Sequence, residues 1–354
     1  MTNLKDYVCL VPFDTFQIHK DENWVCCPHW LTKSIPHKDT LSESWNSEES
    51  VDIRKSVVDG SYKYCDSKSC PFLGDLVNFE SKGMFGPIVH KSKLTGDIKK
   101  YYEQETGEIE IGPKHVQLNF DMTCNYKCPS CRSEMIVSNS EEQKKIVKQL
   151  NDIDEFADSI ETLYSSTVGD PFASVPIRNF FRNFNPKKYI RLKNIHLHTN
   201  ASLWNEEMWS TMKSIHPYVH TCEISIDAGT KDTYENKTRL GGNWDNLIKN
   251  LKFINSIDTI HKVKCSFVVQ SDNYNEMSIF LETIRDIFGK KGRVFFCRLQ
   301  NWNSYTPAQY KIQEIHNVNH PEHKNFIKEF NEVCFDNYVT HNLHEFMEIN
   351  KTLM

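Results

Sequence analysis

No stretch of this chain approaches the run of about eighteen apolar residues that a membrane-crossing helix requires, so no helical span is expected. The first twenty residues lack the basic stretch followed by a long apolar run that marks a secretory leader: the piece Val8 to Phe13 is interrupted by Pro12 and stopped by Asp14. A cytoplasmic location is therefore expected, where cysteines stay reduced and disulfides cannot account for them. Net charge is also scarce. With 42 Lys and Arg against 47 Asp and Glu, the formal net charge is −5, the wrong sign for bulk attraction to nucleic acid or an anionic membrane. Internal repeats and low-complexity segments are missing. So is a fourth cysteine near the run CNYKCPSC (124–131), which denies that run a complete tetrahedral metal site of its own.

What is present is a chain of 354 residues, 39% hydrophobic, 25% charged and 12% aromatic, enough for one large domain and a small one. Its twelve cysteines fall into three groups. Cys9, Cys26, Cys27, Cys65 and Cys70 lie near the N-terminus, Cys124, Cys128 and Cys131 form the run, and Cys222, Cys265, Cys297 and Cys334 are scattered singly. Three of the last group sit in the apolar β-type segments "HTCEISID", "VKCSFVVQ" and "RVFFCRLQ", where cysteine serves as a small buried hydrophobe.

From residue 115 strand-like and helix-like segments alternate. "HVQLNF" leads into the cysteine run. Ser140 with Gln143 then reads as a capping box, opening a helix with Ile146, Leu150, Ile153 and Ala157 on one stripe. "ETLYS", "IHLHTN", "CEISID", "VKCSFVVQ" and "RVFFCRL" follow, separated by helical pieces. One is lined by Trp244, Leu247, Ile248, Leu251 and Ile254, another by Phe280, Ile284, Ile287 and Phe288, ending at Gly289. Six strands, each followed by a crossover, imply parallel pairing in a doubly wound sheet or a full or partial barrel, with working loops after the strand C-termini. The cysteine run follows the first strand and "VGDPF" (168–172) the second; Thr199 and Asn200 end the third, and Asp227 with Ala228 follows the fourth. Polar groups distant in sequence are thus sent to one rim.

Three thiolates on an irregular loop can hold three irons of a cubane [4Fe-4S] cluster and leave the fourth open to a chelating ligand. Zinc held by the same cysteines and a distant His or Cys is the alternative that spacing leaves open. The spacing C-x3-C-x2-C after a strand of a parallel β/α scaffold resembles the radical S-adenosylmethionine (SAM) superfamily, over roughly residues 115 to 300. The resemblance implies an α/β fold with a partial (β/α)6 TIM-like barrel. It implies that SAM chelates the open iron and is reductively cleaved to a 5′-deoxyadenosyl radical, which abstracts a substrate hydrogen. By the same resemblance Gly169, Asp170 and Pro171 hold the SAM amino group, and Thr199 and Asn200 supply the third-strand polar end. Ser225 and Asp227 would face the ribose and methionine, and Arg239, in "YENKTRLGG", the SAM carboxylate. Two positions depart from the family pattern. Ser130 stands where an aromatic residue usually precedes the last cysteine, and Gly-Asp-Pro replaces the usual second-strand motif with its second glycine and glutamate.

"CLVPF", "DENWVCCPHW" and "DGSYKYCDSKSCP" form a second, spread-out set of thiols. It resembles the auxiliary-cluster domain of the SPASM and twitch type, which normally lies C-terminal to such a barrel, whereas here the thiols are N-terminal to it. The resemblance implies a second [4Fe-4S] cluster on Cys9, Cys65, Cys70 and either Cys26 or Cys27; a structural zinc ribbon is the open alternative. The expected order is an auxiliary domain at 1–75, a linker at 76–114, the core at 115–305 and a helical extension at 306–354. Turn signals at Gly83, Gly86-Pro87, Gly96 and "ETGEIEIGP" suggest a hairpin or bridging strand in the linker. "FIKEFNEVCF" and "HEFMEI" read as amphipathic helices, and His316, His320, His323, His341 and His344 as solvated or satisfied side chains, because Pro321 interrupts any helical metal-binding spacing.

The expectation is an enzyme that cleaves SAM reductively and modifies a peptide or protein, with an auxiliary cluster relaying electrons. The alternatives are oxidation or rearrangement of a sugar or other small molecule, and a non-catalytic iron–sulfur or zinc protein. A flavodoxin- or ferredoxin-like reductant is an expected partner; membranes and nucleic acid are not. Gln270, Asn273, Gln300, Asn301, Trp302 and Tyr305 are expected to line the substrate side, and Cys297 is weighed as a hydrogen donor against a core role. No catalytic residue is assigned.

Overall fold

The computed structural model describes residues 3–78, 86–165, 168–333 and 336–343. The chain divides into two compact units, one made of Met1–Asp121, Lys144–Ser165 and Asn185–Lys193, the other of Met122–Gln143, Ser166–Phe184 and Asn194–Met354.

The first unit holds β1 (Tyr7–Cys9), β2 (Thr15–His19), β3 (Glu22–Trp24), β4 (Ile35–Pro36), β5 (Ile88–His90), β6 (His115–Asn119) and β7 (Thr162–Ser165). β1 and β5 form a two-stranded antiparallel sheet. The others run in the order β4-β3-β2-β6-β7, with β2, β6 and β7 parallel and the β2–β3 and β3–β4 pairs antiparallel. An N-terminal strand thus joins the parallel set, because Phe16 and Ile18 on one face of β2 complete an apolar surface with Val116 and Leu118 of β6, all four buried. Phe16 packs edge-on against Trp45 and Phe156 at 5.5 and 5.9 Å.

The helix Glu48–Val58, capped by Ser47, carries Arg54 into this core. Its guanidinium lies 4.0 Å from the Trp45 ring and donates to the carbonyl oxygens of Pro12, Trp45 and Gly107 at 2.8, 2.8 and 3.1 Å, and to Asn46 Oδ1 at 3.2 Å. In the stretch expected as a hairpin or bridging strand, β5 pairs with the strand bearing Cys9 and a helix spans Gly96–Glu103, which the turn signals had hidden. Gly86 and Gly96 do take positive φ, 54° and 58°, while Gly83 lies outside the described residues.

The second unit holds β8 (Asn194–Thr199), β9 (Thr221–Ser225), β10 (Lys262–Val269), β11 (Gly292–Arg298) and β12 (Val339–His341), all parallel in the order β12-β11-β10-β9-β8. β6 to β11 are the six strands expected from the sequence, parallel within each unit and joined by crossover helices, as the expected α/β class requires. β12 is a correction. A purely helical extension was expected, but Val339, buried at the edge of β11, adds a further parallel strand; the helix expected from "FIKEFNEVCF" is present as His323–Glu332, and "HEFMEI" lies outside the described residues. A second correction concerns the helix Ser140–Asp152. Its cap is Asn139, whose Oδ1 accepts from the Glu141 and Glu142 amides at 3.0 and 3.1 Å while Glu142 Oε2 accepts the Asn139 amide at 3.0 Å, so the box lies one residue earlier than Ser140 and Gln143. His320 and His323 of the tail meet the carbonyl oxygens of Ile312 and Ile315 at 2.9 and 3.0 Å, as satisfied histidines do.

Candidate functional site

The loop after β6 is folded around its cysteines. Cys124 donates its amide to the Ile136 carbonyl at 2.9 Å in an isolated bridge, and Thr123 and Ser138 hydroxyls meet at 2.8 Å, closing the loop on itself. Cys124 and Cys128 are buried and Cys131 is exposed. Burial pushes the Cys124 thiol up to about 11, aided by the nearby Asp170 carboxylate. Burial also raises Cys128, against the pull of Arg239. Two guanidinium groups face the sulfurs: Arg239 reaches Cys128 Sγ and Arg132 reaches Cys131 Sγ, both at 3.4 Å. Arg132 also donates to the carbonyls of Met122 and Val168, each at 2.8 Å, pinning the loop to the segment that follows the second core strand. Cations set beside thiols favour the thiolate form that metal ligation needs.

The residues expected to form the rim come together, largely by binding one another. Asp170 is buried; its carboxylate accepts from Thr199 Oγ1 and the Asn200 amide at 2.8 Å each and from the Phe172 amide at 3.0 Å, and its own amide donates to Thr123. Burial raises its pKa, which these donors oppose. Asp170 therefore ties its own segment to the third strand end and the cysteine loop. Pro171, also buried, and Gly169 flank it. Asn200 Nδ2 points at Cys124 Sγ, 3.8 Å away, and at Asn125 Oδ1, 3.1 Å away.

Asp227, at φ 58°, accepts from Arg239 Nη2 at 2.6 Å and from the Val268 amide at 2.7 Å. Burial works against the Arg239 charge, but Asp227 and the Cys128 sulfur together hold it above its ordinary value. Arg239 emerges from a π-helical turn, Tyr234–Thr238, of the kind that re-aims a functional side chain. The two glycines after it fit the cysteine loop: Gly241 has φ 95°, and a Cβ on Gly242 would lie 2.5 Å from the Tyr234 ring. Ser225 turns its hydroxyl to His198 Nε2 at 2.9 Å and Ser266 Oγ at 3.2 Å.

Several organising residues escaped the sequence reading. Asn250, on a helix stripe expected to be apolar, donates to the carbonyls of Ala201 and Ser202 at 2.8 Å each. Glu276 gathers the Gly229 and Thr230 amides and the Thr230 and Thr233 hydroxyls between 2.6 and 3.1 Å. Arg132 had a signal, a lone cation directly after the third cysteine; the others had none. Of the expected substrate lining, Gln270 and Asn273 are buried, and Asn273 is spent on the Asp227 and Val268 carbonyls at 2.9 Å each. Tyr305 donates to Gln270 Oε1 at 3.2 Å, and Asn301 and Trp302 are exposed.

In the first unit, Cys9, Cys26, Cys65 and Cys70 are within electrostatic reach of one another. Burial, then the neighbouring thiols, push Cys9 and Cys65 up to about 12 and raise Cys26. Cys27 feels only Cys70 among them and is turned to the His29 and Trp30 amides. Asp66 shapes the Cys65–Cys70 turn, accepting from the Lys68 amide at 2.9 Å and Ser69 Oγ at 2.6 Å. Among the described residues no group of three His, Cys, Asp or Glu is closed up around a single ion.

No protein-family model matches the chain, and no curated protein does. Among solved structures, Streptococcus suis SuiB bound to precursor peptide SuiA is similar at 14% identity over 96% of this chain and 72% of that one, with a TM-score of 0.44. TYW1 with a lysine-pyruvate adduct follows at 12% identity, 62% and 73% coverage and a TM-score of 0.39. BtrN in complex with AdoMet and 2-DOIA has 14% identity, 45% and 67% coverage and a TM-score of 0.24.

Proposed function

We propose that this chain is a radical SAM enzyme, with an open [4Fe-4S] cluster on Cys124, Cys128 and Cys131 and SAM on the adjoining rim. The observation that carries the reading is the donor set: three thiols on one loop, two of them faced by guanidinium groups at 3.4 Å, beside a buried Asp227–Arg239 pair at 2.6 Å. Three thiolates fit a cubane with one open iron. Such a cluster with SAM bound would supply one-electron reductive cleavage of SAM and, through it, hydrogen-atom abstraction from a substrate. The chain's own residues supply placement. Asp170, through Thr199 and Asn200, fixes the cysteine loop against the third strand end, and Arg239, braced by Asp227, presents its charge to the SAM carboxylate. Gly169 and Pro171 shape the backbone that meets the SAM amino group, and Asp227 and Ser225 stand on the ribose side.

Cys9, Cys26, Cys65 and Cys70 would hold a second [4Fe-4S] cluster, whose filled ligand set suits it to electron relay rather than SAM binding. A flavodoxin- or ferredoxin-like reductant would deliver the electron. Peptide modification and small-molecule rearrangement are both open to such a site, and the strand face beside it favours the second. The test is iron, sulfide and zinc content after anaerobic reconstitution. About eight irons per chain are expected, falling to about four in a Cys124→Ala/Cys128→Ala/Cys131→Ala variant. One or two zincs, roughly, and no iron would overturn the reading.

A further inference from the structure

Strands β8 to β11 have two unlike faces. One is closed and apolar, with Leu197, Ile224, Cys265, Phe267 and Phe296 buried. The other carries His198, Glu223, Ser225, Lys264, Ser266 and Cys297, most of them still partly open to solvent. Register aligns them in rungs: His198, Glu223 and Lys264 stand side by side, and Ser225 stands beside Ser266. Lys264 Nζ meets Glu223 at 2.5 Å and lies 4.9 Å from the Phe295 ring; the His198, Ser225 and Ser266 side chains form a hydrogen-bonded row at 2.9 and 3.2 Å. Burial lowers the pKa of His198 and takes that of His196 to about 4, so both imidazoles are neutral near pH 7.

Parallel sheets are ordinarily apolar on both faces. Such a polar ladder adds little to folding, since a partly solvated ion pair is close to neutral for stability. The ladder begins two residues before Asp227, about 7 Å below the proposed SAM site at the strand rise. Glu223 and Lys264 offset one another, while Arg293, next on the same rung, donates to the Lys290 and Gly292 carbonyls; the ladder offers both donors and acceptors, and Phe295 adds a flat apolar plate at its side. Three strands by two rungs cover about 10 by 7 Å, the footprint of one ring-sized molecule and short for an extended peptide.

Resting on the radical SAM reading, we infer that this face of β8 to β11 binds the substrate, and that the substrate is a small polyhydroxylated ring of the sugar or cyclitol class. Glu223 and Lys264 would take adjacent hydroxyls, Ser266 and His198 a third, and Phe295 the C–H face. Saturation-transfer NMR on the reconstituted protein with SAM, using myo-inositol, D-glucosamine and tetra-alanine as probes, tests this. At least one polyol should give signals that drop five-fold or more in Lys264→Met and in Ser266→Ala, which removes a single oxygen and so leaves the fold in place; tetra-alanine should give none. Polyol signals no stronger than in Lys264→Met, or tetra-alanine signals that depend on these residues, would overturn the inference. Iron content and 5′-deoxyadenosine formation on the same wild-type sample separate the two readings. Full iron and SAM cleavage without polyol binding removes only the substrate class. Polyol binding without iron removes the radical reading and keeps the binding face.

Discussion

Cys26 and Cys27 are chemically identical neighbours, yet Cys26 is within electrostatic reach of Cys9, Cys65 and Cys70, and Cys27 of Cys70 alone. Both lie in the irregular segment that follows β3, where a one-residue difference separates a thiol among the others from one beside the His29 and Trp30 amides. Cys26→Ala is therefore expected to lower iron from about eight to about four per chain, and Cys27→Ala to leave it unchanged, as read by iron assay and by the cluster absorbance band. The same scale shows what sequence reading could reach. Asp170, Asp227 and Arg239 were legible because they lie in short motifs after strands; that Asp170 binds Thr199 and Asn200 internally was not, because the partners are 29 and 30 residues away.

Helices and strands carry the next decisions. The stripe of the helix Trp244–Ser256 announced its core-facing side, but Asn250 on that side ties the helix to the loop after β8. In the helix Glu48–Val58, Arg54 looks in sequence like a solvated cation, and in the fold it is fully buried among four oxygen acceptors and the Trp45 ring. Replacing it strands those acceptors. Arg54→Leu should cost about 3 kcal/mol or more, and Arg54→Lys, without the planar fork, nearly as much, measured as a shift in the urea midpoint. A midpoint unchanged in both would contradict this bracing role.

Across the whole molecule, burial depresses three histidines, His19, His196 and His316, to about 4 from the ordinary 6.5. The unfolded chain binds their protons first, so the stability they contribute is complete above about pH 6.5 and is lost as pH falls toward 4. The loss is on the order of 1–2 kcal/mol per histidine once partial solvent screening is allowed for. Thermal midpoints should fall across that window, and His196→Gln should flatten the fall; an identical slope in the variant would refute the assignment.

Periodicity, turn residues and cysteine spacing by themselves determined the α/β class, the six core strands and the loop that carries the three thiols, because these are local patterns of burial and backbone geometry. Tertiary structure alone decided that β2 and β12 join parallel sheets, that Cys26 lies nearer the other N-terminal thiols than Cys27 does, and that Asp170 and Glu276 act as internal clasps. It alone separated Cys222 and Cys265 on the closed strand face from Cys297 on the polar one. The reason is physical: strand pairing, hydrogen bonds across long separations and the choice of buried face depend on residues that meet only after the chain has folded.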